Sequence, residues 1–344
     1  MKKKINVCEN KVSFFDDFKC IASKCSDSCC EGWDVYIDDE SVKKYDSCDL
    51  KIGETIRNKM QKDEYGYKFA LDNRKKCPFL NDDGLCNLII AEDEFILCEI
   101  CREHPRFYNF YGRYKECGLG LCCEEVSRFL LDADKHLEII SECKEDTFSE
   151  IDEFEVEDAD SLYEIRENLL GIIKSKKTDL ESKIIDISRL AVKNNIDFFE
   201  IESENENIKL YDNHLELIAV FAETEAIDDK WQEYIFEMKK FVKTENSILL
   251  MENLILKYNI EIDNILIYLV YRYFIDISFK YDILIAVEFI KYNLIIMILI
   301  LASNKCDKKE NMIELVKYWS KQIEYDEDNI EHLLKSISRK LYRY

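Results

Sequence analysis

Cys25-Ser26-Asp27-Ser28-Cys29-Cys30-Glu31-Gly32-Trp33 is the stretch from which the chain is best read. Phe18-Lys19-Cys20 precedes it. Cys77-Pro78-Phe79-Leu80, Leu85-Cys86, Cys98-Glu99-Ile100-Cys101 and Leu121-Cys122-Cys123-Glu124-Glu125 follow. Of 15 cysteines in 344 residues, all but Cys306 fall between Cys8 and Cys143. Thiolates are soft ligands suited to iron–sulfur clusters and zinc. Adjacent Cys29 and Cys30 do not easily share one ion, so they point to different irons or different sites. Structural zinc usually takes two C-x2-C pairs, and only Cys98–Cys101 has that spacing, with His104 completing a half-site. Gly32 stands where a C-x3-C-x2-C pattern begun at Cys25 and Cys29 would need its third thiol, so radical cleavage of S-adenosylmethionine by that motif is not supported. Three outcomes stay open: an iron–sulfur cluster, zinc, or structural thiols without a ligand.

Met1-Lys2-Lys3-Lys4-Ile5-Asn6 has basic residues but no apolar stretch and no cleavage site, so no secretory signal is read and a cytoplasmic protein is expected. Cytosolic thiols stay reduced, so the expectation is a metal or cluster rather than a disulfide framework. The composition, 47% hydrophobic and 35% charged, is that of a soluble globular chain. The net charge of −23, most of it after Cys143, repels phosphate backbones and excludes a nucleic-acid partner, while suiting a basic one. Ile283 to Ala302 is the most apolar segment, yet Glu288, Lys291 and Asn293 interrupt it. The reading is a central buried helix, with no membrane span.

Residues 1–17 read as a lead-in whose Phe14 and Phe15 dock on the core, with Phe18 just beyond. Asp34 to Ile37 alternates like a short strand. Asp38 or Asp39 caps a helix to about Tyr45, and a second is predicted over Ile52 to Lys62. Tyr67 to Leu71 reads as a strand and Asn81-Asp82-Asp83-Gly84 as a turn. Leu88 to Glu103 is predicted as one helix ending before Pro105. A hairpin centres on Tyr111-Gly112, and Glu124 opens a helix with acids at its positive end. Only eight Gly and two Pro occur, none beyond Gly171, so helices joined by short loops should fill the remainder. The fold class is therefore mainly α: a cysteine-rich, cluster-binding segment with short strands over 1–144, an acidic linker over 145–160, and an all-α domain over 161–344. Trp33 reads as core beside the thiols. His136, His214 and His332 read as isolated surface residues, and Cys306 as a lone helix-end thiol.

Taken together, Phe18-Lys19-Cys20, Cys25, Cys29-Cys30-x-Gly32-Trp33, Cys77-Pro78-Phe79-Leu80, Leu85-Cys86, Cys101, Pro105-Arg106 and Leu121-Cys122-Cys123-Glu124-Glu125 resemble the flagellin lysine-N-methylase family. Tyr268, Tyr271, Arg272, Tyr273 and Phe274 resemble that family's C-terminal half more loosely. Cys123-Glu124-Glu125 stands where the family commonly has Cys-Pro-Glu, and Cys98, Cys117 and Cys122 are extra. The resemblance implies S-adenosylmethionine-dependent methylation of lysine ε-amines on flagellin. It also implies an iron–sulfur cluster, of the 4Fe-4S type, on thiols drawn from Cys20, Cys25, Cys29, Cys30, Cys77, Cys86, Cys101 and Cys123, with zinc as the alternative metal. For the chemistry, Tyr108, Tyr111, Tyr114 and Phe107 are candidates to line a lysine pocket, and Glu124 or Glu125 to take the proton; each has a plainer reading as core or helix-start acid. No G-x-G loop follows a strand, so a Rossmann-type cofactor site is not indicated. The rival readings are a non-enzymatic zinc- or cluster-binding module that docks a partner, and a thiol redox sensor using Cys98 and Cys101.

Overall fold

The computed structural model describes residues 3–49, 51–132, 134–148, 153–176, 179–195, 210 and 213–342. In chain order, β1 (Lys3–Val12) is followed by β2 (Tyr36–Ile37), α1 (Asp39–Asp46), α2 (Lys51–Arg57), β3 (Met60–Lys62) and β4 (Tyr67–Phe69). Next come α3 (Asn87–Glu92), α4 (Glu99–Glu103), β5 (Arg106–Tyr111), β6 (Tyr114–Leu119), α5 (Glu124–Leu131) and β7 (Ile139–Phe148). The remaining elements are helices: α6 (Glu153–Ile173), α7 (Leu180–Asn194), α8 (His214–Ala222), α9 (Asp229–Phe241), α10 (Ser247–Lys257), α11 (Asn259–Lys280), α12 (Ile283–Ser303), α13 (Lys309–Ile323) and α14 (Glu327–Tyr342). The mainly α class, with a cysteine-rich front and a helical remainder, is what the structure has.

Two compact units emerge. One comprises residues 17–107 with 123–125; the other comprises 1–16, 108–122 and 126–344. The larger unit holds a four-stranded sheet in the order β5-β6-β1-β7. The first residues are thus no mere lead-in: β1 is an inner strand, parallel to β6 and antiparallel to β7. Cys8 lies opposite Cys143 in the β1–β7 register, and the two are joined by a disulfide. That departs from the expectation that the thiols stay reduced, at this one pair, because directly opposed strand positions hold their Cβ atoms at bonding reach. Of the acidic run 145–160, residues 149–152 lie outside the described residues, Glu145 to Phe148 complete β7, and Glu153 to Asp160 open α6.

The helices follow their 3.6-residue periods and pack mostly on one another. Asp179, Asp228 and Asp282 cap α7, α9 and α12 by accepting the N–H of Ser182, Lys230 and Ile285. α12 is the central buried helix, with every residue from Leu284 to Ala302 buried. The donors among its polar interruptions find acceptors within the helix. Lys291 donates to Glu288 at 2.5 Å, and Asn293 to the Phe289 carbonyl at 2.8 Å. Length and composition alone would let this helix cross a membrane, but 94% of its most apolar window is covered by the protein itself. The run from Tyr268 to Phe274 is buried in α11 except for the half-buried Arg272. Tyr268 and Tyr273 each donate to Glu324 at 2.9 Å, and Arg272 pairs with it at 3.0 Å.

The smaller unit departs from expectation at two helices. α2 stops at Arg57, and Met60 to Lys62 form β3 instead, pairing with β4 in a three-stranded sheet ordered β2-β4-β3. The helix expected over Leu88 to Glu103 breaks at Asp93, whose φ of 76° no helix tolerates. The Asp93 carboxylate accepts the Phe95 N–H at 2.7 Å and starts a 3-10 turn, Glu94–Ile96, before α4 begins.

Candidate functional site: the buried thiols

Each thiol-bearing loop in the smaller unit is pinned by backbone and turn chemistry. Trp33 Nε1 donates to the Cys29 carbonyl at 2.9 Å, and the Cys77 N–H to the Cys30 carbonyl at 2.8 Å. Gly32 sits at φ +95°, a conformation L side chains rarely adopt, and donates its N–H to Lys75 at 2.9 Å. The Asn81 side chain accepts from Asp83 and Leu85 at 3.0 and 2.9 Å, folding the turn that places Cys86 against Leu80. Asp38 governs the last loop. One carboxylate oxygen accepts the Ser41 N–H at the start of α1, and the other accepts the Glu99 N–H at the start of α4, both at 2.8 Å.

These constraints bring Cys30, Cys77, Cys86, Cys98 and Cys101 into one core with Val35, Tyr45, Phe69 and Phe79, and Trp33 packs against it as expected. Cys98, which the resemblance left as an extra, is fully buried. Cys101 donates to Cys98, which raises the Cys101 thiol and lowers that of Cys98. The hydrogen bond to Cys29, then burial, then the nearby Cys29, Cys77 and Cys86 raise Cys30. Burial pushes Cys77 up to about 11. In such a core, ionising one thiol opposes ionising the next, so several thiolates coexist only if a cation neutralises them. Among the described residues, no three His, Cys, Asp or Glu side chains are closed upon a common metal position. In kind, five thiols gathered in one core are the donors a thiophilic metal takes.

The other expected ligands lie elsewhere in the same unit. Cys20 is exposed, its sulfur accepting the Ala22 N–H at 3.4 Å. Cys25 and Ser26 converge on Glu124: Cys25 Sγ donates at 3.7 Å, the Ser26 N–H at 2.7 Å and the Ser26 hydroxyl at 2.5 Å. Glu124, 7% exposed, therefore fastens that loop. Glu125 and Cys123 beside it are half-buried.

Of the expected aromatic pocket, Phe107 belongs to this unit and the three tyrosines to the larger one. There each tyrosine has its own partner. Tyr108 meets Phe15 edge-on at 6.1 Å, Tyr111 stacks on Phe279 at 5.7 Å, and Tyr114 donates to Asp160 at 2.7 Å. Phe14 stacks on Phe129, as a docking residue should. His136 is not isolated: its Nε2 lies 3.0 Å from Asp263, which also accepts from Lys183 at 2.7 Å. His214 contacts the Leu210 carbonyl, and His332 pairs with Glu223 at 3.7 Å. Sequence reasoning missed the buried ion pair between Arg166 and Glu116, since its members lie far apart in the chain.

The chain is 34% identical over 142 residues to the flagellar biosynthetic protein FliU of Salmonella muenchen, a match that takes in 38% of this chain and 81% of that protein. It is 33% identical over 142 residues to the lysine-N-methylases of Salmonella choleraesuis and Salmonella typhimurium. Those matches cover 38% of this chain, which spans only 34% of the length of each of the two. No family model matches the chain, and no solved structure does.

Proposed function

The chain belongs to the family that unites FliU with the lysine-N-methylases, and from that premise we propose that it methylates lysine ε-amines on flagellin, in the cytoplasm, with S-adenosylmethionine as methyl donor. The likeness to proteins named lysine-N-methylase carries this reading. In the transfer, the lysine nitrogen attacks the methyl carbon in line, the carbon–sulfur bond breaks, and its electron pair stays on sulfur. The amine must first be neutral. A desolvated site lowers a lysine's pKa, and orientation supplies much of the acceleration. The proton goes to a carboxylate. Glu124 or Glu125 is the proposed acceptor, the first of them already taking two hydrogen bonds from Ser26.

Cys30, Cys77, Cys86, Cys98 and Cys101 are the residues proposed to hold an iron–sulfur cluster. Bound there, it supplies the positive charge that lets buried thiolates coexist. Protein purified without oxygen is expected to absorb broadly near the blue edge of the visible, and Cys98→Ser to lose that band. Labelled S-adenosylmethionine incubated with flagellin should leave its label on lysine, and an unlabelled product overturns the enzymatic reading. The second reading is a zinc-holding interaction module, since the same buried thiols suit zinc as well as iron. It takes over if zinc is bound and no methyl is transferred.

A further inference from the structure

Phe95 is 83% exposed, yet the turn that presents it is held rigidly. Lys44 Nζ donates to the carbonyls of Phe95 and Leu97 at 3.0 and 2.9 Å, and the Tyr45 hydroxyl to that of Ile96 at 2.8 Å. The Asp93 carboxylate fixes the turn from its other end. The turn packs against α3, where Ile89 and Ile90 are 42% and 62% exposed. An aromatic on a loose loop is unremarkable, but one carried on a pinned backbone beside two exposed isoleucines is a preorganised anchor. The charge around it is mostly negative. Glu92, Asp93 and Glu94 lie between the apolar residues, and Glu99 follows at the start of α4. Of the nearby cations, Lys44 is committed to carbonyls and Arg102 pairs with Glu103 at 3.2 Å. Beside the turn opens a cleft of about 300 Å³ lined by Asp38, Glu40, Ser41, Lys44, Glu99 and Arg102.

We infer that this face docks a lysine-bearing amphipathic segment of a protein substrate. The partner's apolar side lies on Phe95, Ile89 and Ile90, and its ammonium groups meet the Glu92–Glu94 rim and the cleft. The identity of the occupant as a lysine substrate rests on the methylase reading; its chemistry rests on the charge and apolar pattern here. The surface lies on α3, the 3-10 turn and α4, the last of which carries Cys101 on its inner side.

The test uses the full chain and two synthetic amphipathic helices with the same leucine face, one flanked by lysines and the other by glutamates. Fluorescence anisotropy should show binding of the lysine peptide alone, weakening with added salt. Phe95→Asp and Ile90→Asp should each raise its Kd about tenfold or more, as losing an anchor of ~1.4 kcal/mol does. Both side chains are exposed, so a circular-dichroism spectrum like the wild type's is expected for each variant. Equal binding of both peptides, or unchanged Kd in both variants, overturns the inference. So does a concentration-dependent dimer that Phe95→Asp abolishes while peptide binding persists, since the occupant is then a second copy. Labelling of flagellin keeps the two claims apart. Methyl transfer with an unchanged KM in Phe95→Asp sinks the docking face alone, whereas selective peptide binding without any methyl transfer sinks the methylase reading alone.

Discussion

Asp63 carries its weight through charge. It accepts from the Tyr36 hydroxyl at 2.9 Å and pairs with Lys68 at 2.9 Å. The hydrogen bond from Lys68 is the main reason its carboxyl is held down to about 2. An unfolded aspartate titrates near ~3.9. The folded state therefore binds the proton less readily, and the stabilisation is complete above that unfolded value and lost as pH falls from about 4 towards about 2. In Asp63→Asn the urea midpoint should fall less steeply over that acid window than in the wild type, and parallel slopes would refute the assignment. Arg166 and Glu116 act differently, because both are buried, at 1% and 0% exposure. Arg166→Met strands a carboxylate in the core and should cost about 3–5 kcal/mol. Adding Glu116→Gln should recover much of that loss in the same denaturation measurement, since no charge remains to bury.

Among elements, the helices beyond Glu153 were readable because apolar side chains recur with the helical period and aspartates mark their starts. β1 was not readable. Its inward residues are Cys8, Asn10 and Val12, and an asparagine and a cysteine hide the period-two signal. β7, reading Ile-Ile-Ser-Glu-Cys-Lys-Glu-Asp-Thr-Phe, is polar enough to pass for a connector. The break at Asp93 was equally hidden, because a positive φ at a non-glycine residue leaves no compositional trace. The convergence of Cys30, Cys77, Cys86, Cys98 and Cys101 was legible in kind but not in membership: Cys98 joins only because Asp38 ties the start of α4 to α1. α2 yields a direct test. A Cβ on Gly53 would meet the Cys48 carbonyl oxygen at 2.4 Å, a backbone atom that cannot swing aside. Gly53→Ala should therefore destabilise by about 1–3 kcal/mol. Thermal denaturation checks this, and an unchanged midpoint would show that the α1–α2 turn yields freely.

For the whole molecule, what matters is how the chain divides. Residues 17–107 form most of one compact unit, and the segments on either side of them build the other. If a metal holds the thiols, its loss should be felt within that division. A strong chelator under reducing conditions is expected to strip hydrogen-exchange protection from residues 17–107. Protection across α11 and α12, which rest on their own buried apolar faces, should persist. Simultaneous loss in both would show that the units do not unfold separately.

Cys8 and Cys143, bonded across the β1–β7 ladder, bracket the entire thiol-bearing unit. With that bond intact, tension applied at the two chain ends passes from sulfur to sulfur, and the residues between carry none of it. A machine that tugs on the C-terminal end would draw out the helices from α14 back to α6, and one on the N-terminal end only the residues before Cys8, before each stalls at the crosslink and leaves the loop behind it slack.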